Sequence, residues 1–155
     1  MSKAILMSIN PYWLMKILNG EKKLEIRKTI PNAKFPIDVY LYCTKGDVKG
    51  AKKTMTIPQL KMLGRVVAKF TLNKVEEIEL YWRGEEPYYK TNALSEKELL
   101  DKSCLYTFED MCNYVAIKGY AWYIDNLVIF KEAMWLHDFK LEKPPISWQF
   151  VEVEQ

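Results

Sequence analysis

The sequence predicts an α+β domain, a small, partly open β-barrel of about six strands with two or three short helices. Short apolar runs recur along the whole chain, either continuous or alternating with period two. Short segments with helix-capping signatures fall between them. No repeat, low-complexity tract or linker divides residues 1–155, which read as a single domain.

Ala4–Ile9 is a continuous apolar run and reads as a buried first strand. Asn10 is a good helix N-cap, and Pro11 at the first helical position gives up an N–H that would be unpaired anyway. Leu14, Ile17 and Leu18 then form one face, with Trp13 beside it. Gly20 closes this helix, because glycine tolerates the left-handed conformation at a C-terminus. From Lys22 the period changes to two: Leu24 and Ile26 point one way, Lys23, Glu25 and Arg27 the other.

Pro31 and Pro36 bracket a loop, and Val39–Cys43 is a second buried strand. Residues 45–56 (KGDVKGAKKTMT) read as a flexible basic loop, rich in Gly and Lys and without an apolar stripe. Gly64–Leu72 is a long strand expected to continue, bent, toward Ile78 and Leu80. Ser95-Glu96-Lys97-Glu98 forms a capping box, and Thr107 caps a second helix carrying Phe108, Met111, Cys112 and Val115. Tyr120–Phe130 alternates as a strand, and Pro144-Pro145 introduces the last one, Ile146–Val153.

Hydrophobic residues at 49% and charged residues at 28% are ordinary for a globular chain, whereas 14% aromatics is high enough to supply stacking rings besides core filler. The net charge of +3 hides an asymmetry. Residues 1–75 hold 15 Lys/Arg against 4 Asp/Glu, and residues 76–155 hold 8 against 16. A basic first half fits a polyanionic partner such as RNA or DNA; equally, the two halves can neutralise each other.

Three cysteines, Cys43, Cys104 and Cys112, with no CxxC, point to a reducing compartment and buried free thiols. The N-terminal apolar run is too short for a signal peptide, and no run approaches the ~20 residues of a membrane span. A cytoplasmic location is expected, with no membrane partner.

Most standard chemistry is excluded. His137 is the single histidine, and no GxSxG accompanies it; in its setting it reads as a structural residue. One His and three scattered Cys give no zinc-ligand spacing, and no phosphate-loop or dinucleotide fingerprint occurs. No metal and no cofactor are expected.

What remains is the segment Gly20–Lys28 (GEKKLEIRK). A lysine near a carboxylate serves as a general base if burial or a nearby cation depresses its pKa, which fits Lys22. Glu25 is able to accept from the exocyclic amine of a base, and Arg27 to grip a phosphate or stack on a ring. The alternative is a surface strand with an ordinary ion pair.

Gly20-x-Lys22-x-x-Glu25-x-Arg27 resembles the GxKxxExR signature of the ASCH family, within the PUA-like superfamily. The setting matches too: a first strand (KAILMSI), a capped helix (NPYWLMKILNG), then the motif. LGRVVAKFTL resembles the family's central barrel strand, and Pro144-Pro145-Ile146-Ser147-Trp148 a segment before the last strand of bacterial and phage members. The resemblance spans essentially the whole chain and suggests a stand-alone bacterial or phage-type member. It implies a PUA-like barrel with a cleft at the motif. It also implies RNA binding or nucleotide recognition; some relatives cleave RNA, and others are amidohydrolases acting on acylated cytidine. In those amidohydrolases a threonine nucleophile stands where this chain has Glu25. A carboxylate cannot repeat that chemistry, so the threonine-dependent mechanism is not expected.

The leading expectation is an RNA- or nucleotide-binding domain. Lys22 and Arg27 would engage phosphate, Glu25 a base edge, and Trp148 or Trp13 would offer a ring for stacking, with Gly20 and Lys28 also in the binding set. Lys45, Lys49, Lys52 and Lys53 would track a backbone, or else form a solvated loop. The second expectation is a metal-independent ribonuclease or nucleoside hydrolase with Lys22 and Glu25 as its acid/base pair. The third is a protein-interaction or regulatory module.

Overall fold

The computed structural model describes residues 1–46 and 48–154; position 47, part of the expected basic loop, lies outside the described residues. The chain divides into two compact units. One comprises Met1–Leu18, Ile37–Thr71 and Asn126–Gln155, the other Asn19–Pro36 and Leu72–Asp125.

The first unit is built on a five-stranded sheet in which β1 (Ser2–Ile9) lies between β3 (Ile37–Cys43) and β9 (Trp148–Val153). β1 runs parallel to β3, with Ile5 opposite Val39, and antiparallel to β9, with Met7 opposite Trp148. Its residues from Ala4 to Ile9 are all buried, as a continuous apolar run requires. β4 (Val66–Leu72) and β8 (Asp125–Met134) complete the sheet beyond β3. Ala4, Leu6, Tyr40, Tyr42, Val66, Phe139 and Val151 form a core cluster of this unit. The first helix, α1 (Pro11–Leu18), starts where expected, with Asn10 Oδ1 accepting from the Trp13 N–H at 3.3 Å.

The second unit is built on the antiparallel sheet β2-β7-β5-β6, formed by β2 (Leu24–Arg27), β5 (Val75–Arg83), β6 (Glu86–Lys90) and β7 (Lys118–Tyr123). Leu24, Ile26, Ile78, Tyr89 and Ala121 share one face of it and are buried. The helices α3 (Glu96–Ser103) and α4 (Phe108–Cys112) pack against β2 and β6. Tyr89 stacks on Phe108 at 5.1 Å and donates to the Val115 carbonyl at 3.0 Å. Ser95 forms the expected capping box with Glu98, and Thr107 caps α4.

The fold is thus mixed α/β, with nine strands in two sheets among the described residues, one sheet a curled half-barrel. The strand count exceeds the expected six for identifiable reasons. The run from Gly64 to Leu80 is two strands, β4 and β5, separated at Asn73-Lys74. The run from Tyr120 to Phe130 is likewise β7 and β8, separated at Ile124. At both breaks the chain passes from one sheet to the other, while the local alternation that signals a strand continues through. β6 is a further strand: its Pro87 is tolerated because β6 lies at the sheet edge.

Two other expectations are corrected. The basic stretch is not an irregular loop: Val48–Thr54 forms 3-10 turns kinked at Lys49 and Gly50, followed by a one-turn helix, α2 (Ile57–Leu60). Thr56 and Gln59 form its capping box, a signal made faint by a helix of four residues that buries none of them. The cysteines are all free, but only Cys43 and Cys104 are buried. Cys112 is exposed, because α4 turns the adjacent Met111 inward.

Candidate functional site

The approach to the motif is a locked turn. Asn19 Oδ1 accepts from the Glu21 N–H at 2.9 Å and Asn19 Nδ2 donates to Glu21 Oε1 at 2.7 Å, around Gly20 at φ +86°. That conformation is open to glycine and strained for other residues. Next, Lys23 is held by its backbone: its N–H donates to the Lys102 carbonyl at 2.7 Å, and its carbonyl accepts from Ile124 at 3.0 Å. These bonds seat the start of β2 between the end of α3 and the chain just after β7.

The motif's charged side chains then converge within the second unit. Lys22 is 3% exposed and Glu25 7% exposed, so neither is an ordinary surface charge. Lys22 Nζ donates to the Ser103 carbonyl at 2.5 Å and stands 3.4 Å from Glu25 Oε1. Arg27 Nε and Nη2 both donate to Glu25 Oε2, at 2.9 and 2.6 Å. The carboxylate is therefore held on both oxygens by cations, with its direction fixed.

Ser103 is the last residue of α3, where unpaired carbonyls concentrate negative potential suited to an ammonium. Cys104 follows in the left-handed conformation, φ +60°. Burial pushes the Lys22 ammonium below its ordinary value of 10.5, against the opposing pull of Glu25. The shift runs in the direction that a general base needs, toward the neutral amine, and burial restricts Lys22 to groups that reach inward.

Glu25 and Arg27 share the sheet face opposite the helices. Across β7, Glu25 is in register with Trp122 and Arg27 with Tyr120. Trp122 is fully buried and its indole N–H donates to the Thr29 carbonyl at 3.1 Å, fixing the chain just past the motif. Sequence alternation in KGYAWY pairs Tyr120 with Trp122 on one face, but their register against β2 is a long-range property. Ser103 acts through its backbone carbonyl and leaves no side-chain signal at all.

The other expected residues lie elsewhere. Lys28 is exposed immediately after β2. Trp13 and Trp148 belong to the first unit. Trp13 is 5% exposed and meets Tyr12 edge-on at 4.7 Å, with Lys49 Nζ 5.1 Å from its ring. Trp148 is half-buried and edge-on to Phe150 at 5.5 Å. His137 is an exposed residue stacked beside Trp135, its Nε2 3.7 Å from Asp138. Among the described residues no group of three or more His, Cys, Asp or Glu side chains is placed to hold a metal ion. No helix among them is long and apolar enough to cross a membrane.

No protein-family profile matches the chain, and no curated protein does. Solved structures do. The ASCH protein of Zymomonas mobilis superposes with a TM-score of 0.64 at 14% identity, over 96% of this chain and 87% of that one. A tyrosine-to-phenylalanine mutant of that protein gives 0.64 at 15% identity, over 97% and 91%. A serine-to-alanine mutant gives 0.63 at 15%, over 96% and 88%. At such identity the likeness is one of fold: this chain has the fold of an ASCH domain.

Proposed function

We propose, with the ASCH-domain fold as premise, that residues 1–155 act as one cytoplasmic domain that binds RNA or a nucleotide through Glu25 and Arg27. The single observation that carries this reading is the buried Lys22–Glu25–Arg27 cluster. A carboxylate clamped between two cations is a directed acceptor, suited to the exocyclic amine of a base. Arg27, the least buried of the three, is suited to phosphate, and Lys22 orients Glu25 from behind. The test is fluorescence anisotropy with labelled single-stranded RNA and with cytidine monophosphate as competitor. Glu25→Gln removes the charge yet keeps the shape, and is expected to weaken binding about tenfold or more. Equal affinities for the wild type and this variant would refute the assignment.

The depressed pKa of Lys22 favours a second reading, in which the same cluster cleaves RNA or a nucleoside without a metal. In RNA cleavage Lys22 would take the proton of the 2′-hydroxyl, whose oxygen attacks the adjacent phosphorus to give a 2′,3′-cyclic phosphate, while the departing 5′-oxygen takes a proton from water and leaves as the 5′-hydroxyl. Incubating labelled RNA with EDTA, and comparing wild type with Lys22→Ala and Glu25→Gln, separates the two readings. Cleavage lost in both variants supports the enzyme; cleavage that survives both comes from a contaminant.

A further inference from the structure

The sheet of the second unit has two unlike faces. One carries the helices and the buried Leu24, Ile26, Ile78 and Tyr89; the other carries Glu25, Arg27, Tyr120 and the fully buried Trp122, and continues across β5 and β6 toward more exposed residues. That second face mixes rings (Tyr120, Tyr81, Tyr88) with cations (Arg27, Lys118, Arg83, Lys90) and with the carboxylates of Glu77 and Glu79. Tyr120 lies between Arg27 and Glu77 in cross-strand register, is half-buried, and its hydroxyl makes no hydrogen bond to any described residue. Farther along β5, Tyr81 stacks on Tyr88 of β6 with centroids 5.8 Å apart. Lys90 Nζ stands 4.9 Å from the Tyr81 ring, and the Arg83 guanidinium 4.3 Å from Tyr88. Both tyrosines are half-buried, and Arg83 is 68% exposed.

We propose that this face is a track for single-stranded RNA, running from the Glu25–Arg27 site past Tyr120 to the Tyr81–Tyr88 pair. The proposal rests on the nucleotide-binding reading above and extends it from one nucleotide to a strand. An antiparallel four-stranded sheet with helices behind and rings in front suits unpaired bases, which offer flat faces to stack. Tyr81 and Tyr88 each have a cation beside the ring, and Tyr120 has Arg27 in register, so a base and its phosphate find partners together. From the register position of Tyr120 to Tyr81 is about 14 Å along β5, a span of a few nucleotides. Glu79 lies in register between Lys118 and Lys90, and Glu77 ion-pairs with Lys118 at 3.0 Å. Carboxylates so placed accept from base amines, which cytosine and adenine have and uracil lacks.

The experiment compares cytidine monophosphate with oligocytidylate and oligouridylate of about eight nucleotides on the intact chain. The octamer of cytidines is expected to bind at least about tenfold tighter than the mononucleotide, and tighter than oligouridylate. Tyr81→Ala with Tyr88→Ala is expected to remove that excess and leave mononucleotide affinity as it was. The paired Tyr→Phe variant should restore it, since stacking needs the ring alone. If the mononucleotide binds and the octamer binds no tighter, the track is overturned while the site stands. If the mononucleotide fails to bind and the octamer binds through Tyr81 and Tyr88, the track stands and the Glu25–Arg27 site falls. Ultraviolet cross-linking of the wild type needs no variant: adducts on Tyr81, Tyr88 or Tyr120 support the track, and adducts confined to other residues overturn it.

Discussion

The ammonium of Lys22 donates to the backbone carbonyl of Ser103 at 2.5 Å, tying the motif to the C-terminal end of α3 across 81 positions of sequence. The same ammonium faces Glu25 Oε1, so one side chain both anchors the helix and orients the carboxylate. Lys22→Met removes the charge and keeps most of the volume. It leaves the Ser103 carbonyl and one carboxylate oxygen without that donor in a buried setting. The expected loss is about 3 kcal/mol of stability, measured by urea unfolding at neutral pH.

The same residue predicts a pH signature. Its folded pKa lies below the ordinary value of 10.5, chiefly because of burial. Between that lowered value and 10.5 the unfolded chain binds more protons than the folded one, so Lys22's contribution to stability rises with pH. This titration-linked part of the contribution, separate from the contacts that Lys22→Met removes at neutral pH, is complete above 10.5 and is lost as pH falls through the folded value. The wild type should therefore gain on Lys22→Met as pH approaches 10.5 from below. Parallel stability curves for the two proteins would contradict the depressed pKa.

Gly119 predicts a packing effect in the same unit. A Cβ there would come within 2.7 Å of Val115 Cγ2, and Val115 is fully buried. Gly119→Ala should cost about 1–3 kcal/mol through overpacking where the α4 segment meets β7. Chemical denaturation gives the value, and a Val115→Ala background should recover part of it by making room.

The cysteines differ sharply in reactivity. Burial pushes the Cys43 thiol up to about 12 and keeps it protonated at neutral pH, and Cys104 is 3% exposed, whereas Cys112 is open to solvent. Iodoacetamide on the native protein should modify Cys112 first by a wide margin, with Cys43 and Cys104 reacting only after unfolding. Peptide mass spectrometry assigns the modified positions.

Much of this was legible in the residues themselves. The strand–helix–strand opening follows from Asn10, Pro11 and Gly20, because caps are local chemistry. The pairing of Glu25 with Arg27 followed from spacing on one strand, whereas Lys22 stands before β2, where alternation sets it with Leu24 and Ile26. The burial of Lys22 and Glu25 did not follow, since it depends on α3 and β7, brought in from far along the chain. The breaks at Asn73 and Ile124 were hidden because alternation reports a strand and not the sheet it joins. Tyr120 and Trp122 were visible as neighbours on a face, but nothing local says which strand lies opposite them.

If the cluster around Glu25 and Arg27 meets a nucleic acid ligand, the backbone around it must respond to that ligand. Titrating the 15N-labelled protein with single-stranded RNA, and following each backbone amide by NMR, tests it most directly. The largest shifts are expected over Leu24–Lys28 and Tyr120–Trp122, diminished when Glu25→Gln is titrated in the same way. Shifts confined to other segments, or none at saturating RNA, would contradict it.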